Sequence, residues 1–195
     1  MRKLILTAVL GAVVGAFLLP STVLAQETEE AMIDRLFLRP HHSLATGDML
    51  TALHRWYGIP PAITLTIWGA ETSMGDPKLG GRLVKHFNFG CLRSGPTTTP
   101  WGKLANGTVV VAGKRWWSFP SAWAGAAAWG RHCKIGPTSS PGFYFERLTQ
   151  TPPDWRGWAE KYYGRGVPGF EKYLANILRI NKRILEKAHA AGFDW

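Results

Sequence analysis

The segment from residue 60 to residue 93 constrains the fold of this chain more than any other stretch. It reads PPAITLTIWGAETSMGDPKLGGRLVKHFNFGCLR, with no charged residue over positions 62–70. The two leading prolines are typical of a helix start, because the first helical turn needs no backbone N–H donor. A helix without charge on any side is expected to be buried on most of its surface. We therefore predict a core helix that ends by presenting one carboxylate, Glu71.

Glu71 is almost alone as an acidic group in the middle of the chain. Between Met49 and Phe145 the only acidic residues are Glu71 and Asp76, whereas basic residues are many. A carboxyl group at the edge of a desolvated site has a raised pKa and stays protonated near neutral pH. A general acid that cleaves a glycosidic bond needs this property. The alternative is a structural glutamate that caps a turn or pairs with a nearby Arg or Lys.

The N-terminus has the pattern of a secretory signal peptide. The chain has 195 residues and is 46% hydrophobic with 10 Trp, which is enough for one compact domain with its own core. Basic residues at positions 2 and 3 precede an apolar run, and a V-x-A pattern ends at Ala25. We predict a signal peptide over residues 1–25 and an N-terminal arm over 26–45. An uncleaved anchor is the alternative, but Pro20 breaks a run that is already short.

The basic charge of the chain indicates a polyanionic partner outside the cytoplasm. Removal of residues 1–25 takes away Arg2 and Lys3 and no acid, so the formal net charge falls from +10 to +8. Exported basic proteins are attracted to cell-wall polymers and anionic lipid. The basic residues are scattered and form no nucleic-acid motif, so we expect no nucleic-acid partner. We predict a protein of the periplasm, or of the extracellular space and cell wall.

Cys91 and Cys133 are the two cysteines of the chain. An oxidising compartment favours one disulfide between them, and two buried free thiols are the alternative. Their spacing matches no metal site, and there is no CxxC motif. We expect neither a metal nor a cofactor.

Helical patterns surround one segment of strand character. A helix is predicted from Thr46 to Gly58, and Ser121 is expected to cap another. Asn106-Gly107 followed by TVVV predicts a β-hairpin with a tight turn. A long final helix ends before Gly192 and carries an apolar stripe. That stripe consists of Tyr173, Ile177, Ile180 and Ile184. The predicted fold class is α+β, mainly α, with a small β-hairpin lobe.

Several aromatic residues and one asparagine are candidates for substrate contact. Asn88 stands between two phenylalanines, and its amide is able to orient a substrate or Glu71 itself. Trp101, Trp116 and Trp117 border the predicted hairpin. Exposed aromatic faces stack on sugar rings, although a tryptophan in a small domain is more often part of the core.

Two motifs in the central segment are shared with a known family. Glu71, Thr72 and Gly75 match a Glu-(Thr/Ser)-x-x-Gly turn, and residues 88–93 (NFGCLR) approximate an Asn-x-Phe-Gly-aliphatic-Lys segment with Arg93 in place of Lys. The chain therefore resembles the bacterial glucosaminidase domain, glycoside hydrolase family seventy-three. Downstream, RWWSFPSAWAG and WAEKYYGRGVPGFEKYLANI resemble two further segments of that family. The resemblance spans about residues 46–185.

The resemblance implies a lysozyme-like catalytic domain over residues 46–195 that cleaves the glycan of peptidoglycan, commonly after N-acetylglucosamine. Glu71 takes the position of the family's catalytic acid. Trp158 stands where the family often has an active-site tyrosine, so Tyr162, Tyr163 or Tyr173 is expected to serve in its place, unless no tyrosine does. Tyr162 and Tyr163 are the two predicted as catalytic residues. The predicted substrate-binding residues are Asn88, Phe89, Trp101, Trp117 and Tyr173. The expected partner is the peptidoglycan glycan strand, with no membrane span after signal cleavage and a monomeric state.

A second catalytic carboxylate is missing from the predicted β-lobe. A retaining glycosidase places it about 5–5.5 Å from the acid, and an inverting one about 6.5–9.5 Å away. Residues 94–115 contain no acid, and Asp76 is too close in sequence to face Glu71 across a sugar. We therefore expect the substrate's N-acetyl group to act as nucleophile, steadied by a tyrosine. A lytic transglycosylase or a muramidase on the same fold is the alternative, followed by a non-catalytic wall-binding protein and, last, a membrane-active basic protein.

Overall fold

The computed structural model describes residues 27–94, 104–136 and 140–195. The predicted signal peptide and the substrate contact predicted for Trp101 lie outside the described residues. None of the helices within the described ranges is both long and apolar enough to cross a membrane.

Helices make up most of the described chain. The α-helices are α1 (Glu29–Ile33), α2 (Gly47–Tyr57), α3 (Pro61–Thr72), α4 (Ala122–Ile135), α5 (Phe143–Thr149), α6 (Trp155–Ala159) and α7 (Phe170–Ala190). Shorter π- and 3-10-helical segments add to them at Asp34–Leu38, Arg39–His41, Ser73–Gly75, Val84–His86 and Glu160–Gly164. Strands β1 (Gly107–Val111) and β2 (Lys114–Ser118) form one antiparallel sheet. The predicted fold class, a mainly helical α+β fold with a small β-hairpin, is confirmed.

Helix α3 is the centre of the core, as the uncharged run predicted. Every residue from 61 to 68 is buried, and the helix packs along α7. Ser73 ends it with a left-handed φ of +50°, and Met74 follows at +58°. Two successive non-glycine residues in this region turn the backbone sharply. This sharp turn changes the direction of the chain directly after α3, whose last helical turn carries Glu71.

The predicted N-terminal arm is built into the domain. Its apolar side chains Met32, Ile33, Phe37 and Leu38 are all buried in the main core. Trp195, the last residue, packs its ring 5.9 Å from that of Phe37 and donates from Nε1 to Glu29 Oε1 at 2.8 Å. The two ends of the described chain therefore stabilise each other.

The hairpin forms where the sequence predicts it, but the position of its tight turn was wrong. Gly107 is the first residue of β1, and the turn lies at Ala112 and Gly113 between the paired residues Val111 and Lys114. Ala112 and Gly113 have φ of +50° and +72°. Positive φ at both central residues is the geometry that matches the twist of the flanking strands.

The predicted helix ends agree with the structure. Gly58 ends α2 with a left-handed φ of +70°, and Thr46 precedes its first turn. The Ser121 hydroxyl accepts a hydrogen bond from the Ala124 N–H at 3.2 Å, which caps α4. Capping of this kind satisfies backbone donors that the first turn leaves without a partner.

Candidate active site

Glu71 lines an open cleft with a volume of about 620 Å³. One wall is formed by the loop that follows Gly90 and by strand β2, and the other by the turn after α6 and by α7. Aromatic side chains dominate the lining: Trp116, Tyr144, Tyr162, Tyr163 and Tyr173. A cleft of this size with aromatic walls and a few polar groups is typical of a small-molecule or glycan site.

The carboxyl group of Glu71 is held by a tyrosine from α7. The Tyr173 hydroxyl donates a hydrogen bond to Glu71 Oε1 at 2.6 Å across a sequence separation of 102 residues. The ring of Tyr163 stacks on that of Tyr173 with centroids 4.5 Å apart. Contact between α3 and α7 therefore fixes the direction of the carboxyl group.

Burial of Glu71 raises the pKa of its carboxyl group, and hydrogen bonds from Tyr173 and Cys91 partly oppose that rise. None of the ion pairs within the described ranges includes Glu71. This argues against a structural glutamate locked to an arginine or lysine. The carboxyl group is therefore placed as the sequence predicted for a proton donor, at the edge of the core and beside open space.

The other two tyrosines have different surroundings from Tyr173. Tyr162 donates its hydroxyl hydrogen to the Gly90 carbonyl at 2.6 Å, and its ring stacks on Trp158 with centroids 4.7 Å apart. Burial raises the pKa of the Tyr162 hydroxyl well above its usual value. Tyr163 is 38% exposed on the cleft wall. Both line the cleft, but the tyrosine in contact with Glu71 is Tyr173. The catalytic role of Tyr162 and Tyr163 stays a prediction.

Asn88 and Phe89 lie behind the cleft and do not line it. The Asn88 side-chain amide donates to the carbonyls of Leu92 and Trp117, each at 2.9 Å, and its oxygen accepts from the Leu92 N–H at 2.7 Å. The ring of Phe89 is fully buried, with its centroid 4.8 Å from that of Trp68. The structure therefore assigns both to holding the loop of residues 88–93, in place of the predicted substrate contact.

The hairpin places Trp116 in the cleft, and its neighbour Trp117 packs against the core. Successive side chains of a strand point to opposite faces, so only one of the two can face the cleft. The guanidinium of Arg93 lies 5.2 Å from the centre of the Trp116 ring. The substrate contact predicted for Trp117 was therefore wrong, and Trp116 is the tryptophan of β2 that lines the cleft. The register of β2, which decides between the two, was not known from the sequence.

The disulfide predicted between Cys91 and Cys133 is not formed, and both are free thiols. Cys91 lies in the loop at a φ of +50°, with its sulfur 3.9 Å from the backbone oxygen of Glu71. Cys133 is buried in α4 among core side chains. Burial raises the pKa of both thiols, so they are protonated at neutral pH.

The cleft residues that were not predicted from the sequence include four polar ones: Arg93 and Lys114 on the hairpin side, and His132 and Tyr144 from α4 and α5. Burial lowers the pKa of His132 to about 4 and raises that of Tyr144 to about 12, so both are neutral at physiological pH. Their positions depend on how α4 and α5 pack, for which a single sequence has no signal. Arg93 was visible only as the residue in the lysine position of the family motif.

Glu71 is the only acidic residue among the described residues that line the cleft. No group of three or more His, Cys, Asp or Glu side chains is placed to hold a metal ion in the part of the chain that the structure describes. The site thus offers one carboxyl group with a raised pKa, a tyrosine that positions it, two cations and several aromatic faces.

Searches of protein-family models, curated proteins and solved structures found no match to this chain. The resemblance to the glucosaminidase domain therefore depends on the sequence motifs alone and stays a prediction.

Proposed function

We propose that this protein cleaves the glycan strands of peptidoglycan, with Glu71 as the general acid. The observation that carries this proposal is the buried Glu71 carboxyl group, which lies in an open cleft, accepts a hydrogen bond from Tyr173 and has no cationic partner among the described residues. A carboxyl group in such a place holds its proton to higher pH than usual and can deliver it to a glycosidic oxygen.

The single carboxyl group favours nucleophilic help from the substrate itself. Glu71 donates its proton to the glycosidic oxygen, the bond to C1 breaks, and the carbonyl oxygen of the sugar's own N-acetyl group bonds to C1. Water then attacks C1, the bond between C1 and the N-acetyl oxygen breaks, and the water gives its proton to the Glu71 carboxylate. These changes restore the acid and the N-acetyl group and release a reducing N-acetylglucosamine end. Substrate-assisted glycosidases of this kind need no carboxylate nucleophile. Tyr173 keeps the carboxyl group in one orientation through both steps.

A lytic transglycosylase is the second candidate, and the same absence of a second acid among the described cleft residues favours it. In that reaction the 6-hydroxyl group of the muramic acid residue attacks C1 and passes its proton to Glu71. The product is a 1,6-anhydro end, and water takes no part. Both reactions use Glu71 first as acid and then as base.

The signal peptide predicted at residues 1–25 and the net charge of +8 that remains after its removal fit this substrate. An exported basic protein is attracted to the anionic cell wall. The proposal therefore places a monomeric enzyme in the periplasm or at the cell wall.

The test is digestion of purified sacculi by the mature protein and by Glu71→Gln, with mass spectrometry of the released fragments. Reducing N-acetylglucosamine ends from the wild type alone support the glucosaminidase, and anhydro ends from the wild type alone support the transglycosylase. Equal clearing by both proteins, or binding without any product, indicates a non-catalytic wall-binding protein. Leakage of liposomes without glycan cleavage indicates a membrane-active protein. Equal clearing, binding without product, or leakage without cleavage would each overturn the proposal.

A further inference from the structure

A second groove lies between the N-terminal arm and helix α7. It has a volume of about 270 Å³ and shares no lining residue with the Glu71 cleft. Its apolar floor consists of Phe37, Met74, Ile180 and Ile184. Leu79 adds a side chain that is 73% exposed to its rim. A recessed apolar floor with an exposed leucine at the rim is the pattern of a surface that receives a partner.

Three cations line one side of this groove. Arg179, Arg183 and Lys187 follow one another at intervals of four residues along α7 and lie on one face of the helix. Each interval is about 6 Å of helix length, so the row is about 12 Å long. Like charges four residues apart destabilise a helix, so an anionic partner along the row would remove an unfavourable interaction.

None of these three cations forms an ion pair within the described ranges. Arg179 donates to the Asn176 side chain, and Lys187 lies 5.9 Å from the centre of the Phe37 ring. By contrast, Lys182 on the same helix pairs with Glu186 at 3.8 Å and does not line the groove. The row of cations is therefore open to carboxylates from another molecule.

The chain itself does not supply those carboxylates. Residues 1–26, 95–103 and 137–139, which lie outside the described ranges, contain no Asp or Glu. A second copy would bring another strongly basic surface. A membrane is also a poor fit, because apolar side chains must project to enter lipid, whereas the floor here is recessed and Phe37 and Ile184 are buried. A row about 12 Å long matches the spacing of acidic side chains along a helix better than a single headgroup.

We propose that this groove binds an acidic amphipathic helix of a partner protein. Carboxylates at every fourth position of that helix pair with Arg179, Arg183 and Lys187, and the apolar face next to them covers the floor and Leu79. Helix-in-groove recognition of this type reads apolar anchors at helical spacing and gains specificity from charges at the rim. This interaction is independent of the activity proposed for Glu71.

The test uses a labelled helical peptide of about 15 residues with leucines on one face and glutamates at three positions four residues apart beside them. Its affinity for the mature protein is measured by fluorescence anisotropy. Arg183→Glu should weaken binding by about tenfold or more, because it places like charges opposite each other. Leu79→Asp should weaken binding as well, and Lys182→Glu is the matched control that should leave it unchanged. Circular dichroism checks that each variant is folded.

Several results would overturn this proposal. One is no binding of the peptide beyond that of a scrambled sequence of the same composition. Others are equal loss with Lys182→Glu, or equal binding of a peptide with glutamine in place of each glutamate. Binding of vesicles made of anionic phospholipid that is lost with Arg183→Glu would assign the groove to a membrane. Self-association lost with the same variant would assign it to a second copy.

Discussion

At the residue scale, the environment of Glu71 opposes its ionisation. Burial raises the pKa of the carboxyl group above its ordinary value of 4.5. Below that value the group is protonated in both folded and unfolded chains and has no effect on stability. As pH rises from 4.5 through the raised folded pKa, the unfolded chain ionises more readily, so the free energy of unfolding falls. Glu71, the proposed general acid, therefore destabilises the fold at neutral pH.

We predict that Glu71→Gln abolishes glycan cleavage and raises thermal stability at neutral pH. Loss of a general acid lowers the rate by about 10²–10⁴. Glutamine keeps an oxygen to accept from Tyr173 and cannot ionise, so Tm at pH 7 should rise by about 2–4 °C for each 1 kcal/mol gained. Near pH 3 the two proteins should unfold together. Glu146→Gln, an exposed glutamate on α5, is the control and should change neither property. A lower Tm for Glu71→Gln at pH 7 would contradict the argument.

Tyr173 is predicted to set the pH above which activity falls. Its hydroxyl lowers the pKa of Glu71 against the effect of burial. In Tyr173→Phe that bond is gone, so the pKa of Glu71 rises further and the acid stays protonated to higher pH. The alkaline limb of a pH profile of sacculus clearing should therefore move to higher pH. Tyr163→Phe is the control. It keeps a stacked ring and removes a hydroxyl that donates to the Pro168 carbonyl, so the alkaline limb of its pH profile should not move. If the alkaline limb of Tyr173→Phe coincides with that of the wild type, Tyr173 does not lower the pKa of Glu71.

At the element scale, the loop of residues 88–93 is held by close packing against α4. A Cβ atom added to Gly90 would lie 1.7 Å from Cδ1 of Trp129, a ring that is itself buried. The backbone oxygen of Gly90 also accepts the Tyr162 hydroxyl hydrogen. The loop therefore joins the core to one wall of the cleft, and it tolerates no side chain at this position.

Gly90→Ala is predicted to destabilise the fold and disturb the cleft together. Overpacking of a core costs about 1–3 kcal/mol, and more where a rigid ring cannot move. Urea unfolding should show this loss, and the fluorescence of the buried tryptophans should change in the folded state. Gly81→Ala is the comparison, because its φ is +74° and nothing lies within 4 Å of the added atom. Backbone strain alone should cost about 1–2 kcal/mol there. If Gly90→Ala and Gly81→Ala lower the free energy of unfolding equally, the Trp129 ring moves aside for the added methyl group, which would contradict the prediction.

The elements themselves were largely predictable because their signals are local. The uncharged run before Glu71 gives a buried helix, and Gly58 and Ser121 give helix ends through backbone conformation and capping. The hairpin turn was misplaced because Asn-Gly is the strongest two-residue turn signal. Here the register pairs Val111 with Lys114, so Ala112-Gly113 forms the turn. Two possible turns in one short segment differ only in strand pairing, which local sequence does not encode.

At the scale of the whole molecule, the site is assembled from contacts between distant parts of the chain. Tyr173 belongs to the apolar stripe of α7, and only the packing of α7 along α3 brings its hydroxyl to Glu71. The stripe predicted that Tyr173 faces the core, but not which side chain it meets. Asn88 shows the converse, since an asparagine suited to bind a substrate amide instead donates to Leu92 and Trp117. The sequence thus indicates Glu71 as the candidate acid, and tertiary packing determines which side chains contact it.

The acid sensitivity of the whole fold is predicted to depend on His132. Burial lowers its pKa from 6.5 to about 4, so the folded state binds its proton less readily than the unfolded state does. A group with a lowered folded pKa contributes stability that is present above pH 6.5 and lost as pH falls towards 4. The difference corresponds to about 3 kcal/mol over that window.

Replacement of His132 by glutamine should flatten this part of the stability profile. The free energy of unfolding in urea, measured at intervals between pH 7 and about pH 4, should fall less steeply for His132→Gln than for the wild type. Absolute stability is not compared, because the substitution also changes packing against Tyr144. Asp76 is a second group whose pKa differs from its usual value. Burial raises that pKa, but hydrogen bonds from the backbone of Lys78 and Leu79 lower it below 3.8 overall. Its protonation therefore lowers stability mainly below this pH window. If the two proteins lose stability equally over this window, His132 is not the group that titrates.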